Sequence, residues 1–120
     1  MTGKDTARHG PEVTDLDRKL LYGCAETLVL ALLAEESSYG YQVRRTLLWR
    51  SLHSIQFAAG RVYAILHLME RRGWVKRRRV KAGPRRERHY YDITRDGRSE
   101  LKLRRHKWQA FSSAVDRVLR

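Results

Sequence analysis

The chain has 120 residues, which suits one domain with one accessory element and is too short for two separate hydrophobic cores. Hydrophobic residues make up 42% of it, enough for a small core, so a wholly disordered protein is excluded. The formal net charge of +13 lies entirely in residues 61–120, which hold 19 basic and 6 acidic side chains, whereas residues 1–60 hold 7 of each. This distribution predicts a polyanionic partner, with nucleic acid favoured over a membrane surface.

Two further features argue against a membrane or secreted protein. The longest apolar run, residues 28–34, has 7 residues, against the roughly 20 that a spanning helix needs. Residues 1–14 contain no apolar segment, so we expect a disordered polar arm and no signal peptide.

The single cysteine, Cys24, cannot form an internal disulfide, which favours a reducing cytoplasm. Its place in an apolar helical pattern indicates a small buried side chain.

The first half of the chain predicts two helices. Asp15 or Asp17 can cap the first, which ends in the apolar run and should therefore cross the middle of the core. Residues 35–38 interrupt the apolar pattern and offer a new cap, which places a second helix over residues 39–52. The apolar side of this second helix carries Tyr39, Val43, Leu47 and Leu48.

A third helix is predicted over residues 58–72, and Gly73 is suited to ending it. One apolar stripe follows the helical spacing i, i+3, i+4, i+7 and consists of Val62, Ile65, Leu66 and Met69. The opposite face carries Gly60, Ala64, His67 and Arg71, flanked by Arg61 and Tyr63. Because Gly60 and Ala64 leave the backbone thinly covered, this face is slim enough to approach base edges in a DNA groove. The alternative is a solvated helix face.

After Gly73 the helical spacing of apolar residues gives way to two stretches of strand-forming residues, separated by Gly83–Pro84. This pattern predicts a β-hairpin. Residues 71–88 hold 10 cations against the single anion Glu87. Such a run of like charges repels itself unless a polyanion neutralises it, although a solubilising surface is the alternative reading.

Thr94 can cap a last helix, with Asp96 in its first turn. In this helix the apolar residues recur at heptad-like steps, and they are Leu101, Trp108, Phe111, Val115 and Val118. A monomer with such a stripe exposes apolar surface, so we expect these residues to form a dimer interface. Packing within the chain's own core is the alternative.

The order of three helices and a basic hairpin predicts a mainly α protein with a small β-hairpin, a winged helix-turn-helix with a C-terminal dimerisation helix. The winged helix should occupy residues 15–94 and the dimerisation helix residues 95–120. The side chains expected to contact DNA are Arg61, Tyr63, His67 and Arg71 of the third helix and Arg77, Arg79, Lys81, Arg85, Arg86 and Arg88 of the hairpin.

Residues 28–94 resemble the PadR family of bacterial transcriptional regulators. The matching stretches, in order, are residues 30–34 (LALLA), 39–41 (YGY), 60–66 (GRVYAIL), Met69–Glu70 with Gly73, Gly83–Pro84, residues 88–94 (RHYYDIT) and Gly97. The resemblance implies a dimeric winged-helix repressor of the short subfamily, with a single C-terminal helix and a response to phenolic or other hydrophobic small molecules. It also implies that Tyr41, at the start of the second helix, lies close to the DNA backbone, although plain packing is an equal alternative for that ring.

The resemblance further implies an aromatic residue at the dimer centre, where Trp108 falls. Large rings from two subunits can leave a gap that a flat aromatic effector fills by stacking, so Trp108 and Phe111 are the candidate ligand contacts. The alternative is that Trp108 only fills the interface.

The sequence gives little support to catalysis, a metal or a cofactor, because the five histidines are scattered and no phosphate-binding loop is present. Two functions remain. The first is a sequence-specific DNA-binding repressor that acts as a homodimer on an inverted-repeat operator in double-stranded DNA. The second is a basic RNA-binding or chromatin-like structural protein that contacts the backbone without sequence preference. The separate heptad-like helix favours the first.

Overall fold

The structure is a computed structural model, and it describes residues 15–120. The polar arm predicted for residues 1–14 lies outside the described residues. The elements, in chain order, are α1 (Asp15–Glu35), β1 (Ser38–Tyr39), α2 (Gly40–Arg50), α3 (Ala59–Arg71), β2 (Val75–Gly83), β3 (Arg86–Ile93) and α4 (Arg95–Leu119). The mainly helical fold with a small sheet confirms the predicted fold class.

The core forms between α1 and α3. Helix α1 contributes Ala25, Val29, Leu30 and Leu33, all of which are buried, as expected for a helix that crosses the core. The predicted apolar stripe of α3 is confirmed, since all four of its members are buried against α1. The stripe fixes which side of α3 faces inward and therefore which side remains available to a partner.

Helix α2 begins later than the sequence predicts. Its N-cap is Tyr39, whose backbone N–H donates to Oε1 of Gln42 at 3.1 Å, so the cap is not supplied by residues 35–38. The helix ends at Arg50 instead of residue 52, because Leu52 and His53 have positive φ angles of 54° and 66°. An α-helix cannot continue through that conformation.

The predicted hairpin is confirmed, and it belongs to a three-stranded antiparallel sheet of order β1-β3-β2. Strands β2 and β3 pair from Val75 opposite Ile93 to Gly83 opposite Arg86, with an irregularity between Lys81 and Gly83. The third strand, β1, is not predicted, because two residues are too few to show an alternating pattern.

Thr94 caps α4 as predicted, and its hydroxyl accepts from the backbone N–H of Gly97 at 3.0 Å. One residue of the predicted dimerisation stripe is buried within its own chain and does not lie on the exposed surface of α4. Leu101 is only 5% exposed and belongs to the core of its own chain, where α4 packs on α1. For Leu101 the intramolecular alternative is therefore correct. Within residues 15–120, no helix combines the length and apolar character that crossing a membrane demands.

Candidate nucleic-acid interface

The outward face of α3 is open to solvent along its length. Every residue assigned to it from the helical period is exposed, namely Gly60, Arg61, Tyr63, Ala64, His67 and Arg71. A β-carbon added at Gly60 would meet no other atom within 4 Å beyond the adjacent backbone of α3, so the backbone there is bare on its outer side. This is the slim surface that a helix needs to enter a DNA groove.

Tyr63 joins this face to the start of α2. Its ring lies against Gly40, where an added β-carbon would come within 2.6 Å of Cε1 of Tyr63. Tyr41, the next residue, is exposed, and its ring stacks on that of Tyr39 with centroids 6.5 Å apart. The two predicted tyrosines, Tyr41 and Tyr63, therefore lie on adjoining exposed surfaces at the junction of α2 and α3.

The wing, β2 and β3 with their connecting turn, presents its predicted cations in three different settings. On the sheet face that carries buried Tyr91, two of them are ion-paired. Nε of Arg77 lies 3.5 Å from Oε2 of Glu70 on α3, and Nε of Arg79 lies 4.0 Å from Oε2 of Glu87. These pairs reduce the positive charge that Arg77 and Arg79 offer to a partner.

On the other face of the sheet, the guanidinium of Arg88 lies 4.5 Å from the ring centroid of Tyr39. The ring of Tyr39 also meets that of Tyr90 edge-on, with centroids 5.3 Å apart. A cation held over an aromatic ring has less freedom of orientation, which lowers the entropy lost when it binds a partner. Tyr39 and Tyr90 are outside the predicted set, and only the alternation of the strand in the sequence hints at their place beside Arg88.

Arg78, also outside the predicted set, is occupied by a partner on the same face. Its Nε and Nη2 donate to the carboxylate of Asp92 at 3.0 and 3.1 Å, and the hydroxyl of Ser37 also donates to Asp92. The hydrogen bond from Arg78 is the main cause of a lowered pKa for Asp92. Asp92 is therefore a charged group that ties the base of the wing to the segment before β1.

The tip of the wing holds three exposed cations, Lys81, Arg85 and Arg86. Among the described residues, none of these three side chains has an ion pair, a hydrogen bond or a ring contact. No ion pair within residues 15–120 offsets their charge, so the tip is the most cationic part of the wing.

Helix α4 carries the other predicted surface. Trp108 is 53% exposed and Phe111 61% exposed, with ring centroids 6.3 Å apart, and Val118 is also exposed, whereas Val115 is half-buried. Beside them a groove of about 570 Å³ runs between α1 and α4. Its lining comprises Leu20, Gly23, Cys24, Thr27, Glu100, Arg104, Lys107, Trp108 and Phe111. The groove therefore has apolar walls with a charged rim.

Two further predictions concern reactive groups. Cys24 is half-buried in the wall of this groove, and burial raises the pKa of its thiol, which keeps the thiol protonated. Among residues 15–120 no three His, Cys, Asp or Glu side chains are placed to hold a metal ion.

A helix with a bare outer face, followed by a cationic hairpin, defines a winged helix-turn-helix protein. The family model described as the PadR-like family of transcriptional regulators matches residues 29–103, and the chain belongs to that family. Membership makes the chain a DNA-binding transcriptional regulator.

Solved structures support the fold. A PadR family transcriptional regulator from Eggerthella lenta is 24% identical, with a TM-score of 0.79, and the match covers 99% of this chain and 97% of that one. A transcriptional regulator from Clostridium thermocellum is 22% identical, with a TM-score of 0.77, over 82% of this chain and 96% of that one. A PadR-like regulator from Bacillus cereus is 24% identical, with a TM-score of 0.73, over 85% and 97% of the two chains. A search of curated protein sequences finds no match.

Proposed function

We propose that this regulator is a cytoplasmic repressor that binds an inverted-repeat operator as a homodimer and is released by a small planar aromatic effector. The observation that carries the proposal is the coexistence of two surfaces on one small chain. One is the bare face of α3 with the cationic wing beside it, and the other is the exposed aromatic stripe of α4.

On the DNA side, α3 enters the major groove and the wing contacts the flanking backbone. His67 and Arg61 supply hydrogen-bonding groups on the exposed face and are the candidates for base contacts. The tip of the wing supplies phosphate contacts, because the charges of Arg85 and Arg86 have no partner among the described residues. Arg88, held over Tyr39, adds a phosphate contact nearer to α2.

On the dimer side, the stripe of Trp108, Phe111 and Val118 leaves apolar surface that a monomer does not cover. Leu20, 77% exposed, extends the same surface onto α1 across the groove. A second copy of α4 seated on this groove would cover both, and it would produce a two-fold axis. An operator with two-fold symmetry follows from such a dimer.

The effector site follows from the same pairing. In the single chain the groove beside Trp108 has a volume of about 570 Å³, and the part that the second copy of α4 leaves open would form the effector site. A flat aromatic compound would stack on Trp108 or Phe111. It would lower the affinity for DNA only if it binds better to a dimer whose recognition helices are not spaced for the operator.

The test is selection of bound duplexes from a random pool, followed by sedimentation of the free protein. Enrichment of an inverted repeat and a dimeric mass are the expected results. An unenriched pool would favour a protein that binds the backbone without sequence preference. A monomeric mass at the concentrations used for DNA binding would remove the dimer from the proposal.

The effector arm uses tryptophan emission, titrated with planar aromatic compounds in the wild type and in Trp108→Leu. We expect quenching and release of DNA in the wild type and neither in the variant. Trp49 and Trp74 remain in both proteins and supply the background signal. Equal binding by the variant would show that the compounds bind elsewhere.

A further inference from the structure

Trp74 lies where α3, the wing and α4 meet. Two guanidinium groups lie over its indole ring, that of Arg72 at 5.1 Å from the centroid and that of Arg104 at 5.0 Å. Arg72 is the C-cap of α3, whereas Arg104 lies on the third turn of α4. The ring therefore contacts the end of the recognition helix and the body of the C-terminal helix at once.

A carboxylate of α1 connects the same two arginines. Oε1 of Glu26 lies 2.9 Å from Nη2 of Arg104 and 3.5 Å from Nη1 of Arg72. Oε2 of Glu100, one turn earlier on α4, lies 2.7 Å from Nε of Arg104. The side chains of Glu26, Glu100 and Arg104 are each about three-quarters buried. We call these residues the Glu26 cluster: Glu26, Arg72, Trp74, Glu100 and Arg104.

Helix α4 has another attachment at its first turn. The hydroxyl of Thr94 donates to the carbonyl of Gly73 at 2.6 Å, and the backbone N–H of Thr94 donates to the carbonyl of Trp74 at 3.0 Å. Gly97 packs so closely there that an added β-carbon would lie 2.1 Å from the carbonyl oxygen of Trp74. One polar attachment of this kind locates the start of a helix but leaves its direction open.

The Glu26 cluster supplies a second polar attachment further along the helix, and between the two Nη1 of Arg98 donates to the carbonyl oxygen of Ala34 on α1 at 3.5 Å. Arg104 follows Gly97 by seven residues, so the two attachments lie about 10 Å apart along the helix axis. Leu101, buried between them, fills the space against α1. Two attachments separated in this way determine the direction of α4 relative to α3.

We propose that the Glu26 cluster is a positioning device that sets the angle between α4 and α3, and thereby the half-site spacing that the dimer selects. This inference rests on the proposed function, because it requires a dimer that reads two half-sites. From Arg104 to the end of α4 is about 22 Å, so a tilt of about 10° moves the far end by roughly 4 Å. One base-pair step of B-DNA is about 3.4 Å, so a tilt of this size corresponds to about one base pair of spacing.

A purely structural role for the cluster predicts a different result. Removing one partner of an ion pair that is largely buried leaves the other charge without compensation, so it would lower the melting temperature of the domain. A loss of stability alone would weaken binding to every duplex alike. Spacing preference is therefore the readout that separates positioning from stabilisation.

The test compares the wild type with Glu26→Gln and Arg104→Gln, and Glu35→Gln is the matched control. Glu35 is also a carboxylate of α1 paired with an arginine, Arg50 at 2.7 Å, but that pair joins α1 to α2 instead of α4. Affinities are measured for the selected inverted repeat, for the same repeat with its spacer one base pair shorter or longer, and for a single half-site.

We expect the wild type and Glu35→Gln to discriminate against altered spacers. In Glu26→Gln and Arg104→Gln this discrimination should fall by roughly two- to tenfold, as expected for residues in one ion-pair network. The affinity for a single half-site should stay unchanged. In free dimers carrying a spin label at Ala64→Cys with Cys24→Ala, the distance distribution between the two labels should broaden when Glu26→Gln is added.

Each contrary outcome has a separate meaning. A wild type without spacing preference would overturn the proposed function together with this inference. A wild type with a preference that both variants retain would overturn this inference alone. If the variants lose affinity equally for the single half-site and for the repeat, this inference is also overturned, because the cluster would then act only on the stability of the domain.

Discussion

The ring of Tyr63 on α3 occupies the space that a side chain at Gly40 would need, 2.6 Å from the position of its β-carbon. Gly40→Ala should therefore displace Tyr63 and destabilise the fold by about 1 kcal/mol or more, as overpacking does. Since Tyr63 lies on the surface that we propose faces DNA, operator affinity should also fall. Thermal unfolding and titration with the selected operator measure the two effects.

The double variant Gly40→Ala with Tyr63→Ala tests the cause. Removing the ring removes the clash, so stability should return toward that of Tyr63→Ala alone. Additive losses in the double variant would mean that Gly40 is required for another reason.

A second prediction concerns Gly60, where an added β-carbon would meet no other atom within 4 Å beyond the adjacent backbone of α3. Gly60→Ala should raise the free energy of unfolding by up to about 1 kcal/mol, because alanine favours the helix. If α3 enters a groove, the added methyl group should nevertheless weaken operator binding. A variant that gains stability and binds as well as the wild type would place Gly60 away from the DNA.

The third prediction separates the cations of the wing. Arg85→Ala with Arg86→Ala should reduce the slope of log K against log salt by about 1.8, since each phosphate neutralised contributes about 0.9. Arg77→Ala with Arg79→Ala should reduce it less, because Glu70 and Glu87 already offset those charges. Equal reductions would show that the two ion pairs open when DNA binds.

The fourth prediction is a pH dependence at the base of the wing. Asp92 has a lowered pKa, mainly because of its hydrogen bond with Arg78, so its contribution to stability is present above the unfolded-state value of about 3.9. This contribution is lost as the pH falls through the lower folded-state value. Asp92→Asn should be less stable than the wild type at pH 7, and the difference should shrink below about pH 4. Denaturant unfolding at a series of pH values measures this difference in stability. A difference that stays constant with pH would contradict the prediction.

The fifth prediction compares two apolar residues of α4. Leu101→Ala should cost about 2–5 kcal/mol of unfolding free energy, because it opens a cavity in the core. Phe111→Ala removes a larger but exposed side chain, so the stability of a monomer should change little while the proposed dimer weakens. Sedimentation and denaturant unfolding, both followed over a range of protein concentrations, distinguish the two. A dimer unaffected by Phe111→Ala would shift the interface away from the centre of the stripe.

The sequence by itself determined the local features of this protein. These features depend on residues that lie close together in the sequence. They are the apolar stripe of α3, the end of that helix at Gly73, the N-cap of α4 at Thr94 and the cationic hairpin. Such features can be predicted from a single sequence because helical periodicity, capping and charge density are short-range properties. They were sufficient for the winged-helix fold and for the exposed face of α3.

Tertiary structure decided which residues of those elements remain available. Leu101 shares the spacing of Trp108 and Phe111, yet α1 covers it and leaves the two aromatic rings exposed. Strand β1 exists because β3 pairs with it, with Ser38 opposite Tyr91 and Tyr39 opposite Tyr90, more than 50 residues further along the chain. The wing cations look alike in sequence, but Glu70 on α3 and Glu87 on β3 pair with some of them, and no anion of the described residues pairs with those at the tip. Burial and ion pairing depend on the approach of segments distant in sequence, and no local pattern encodes that approach.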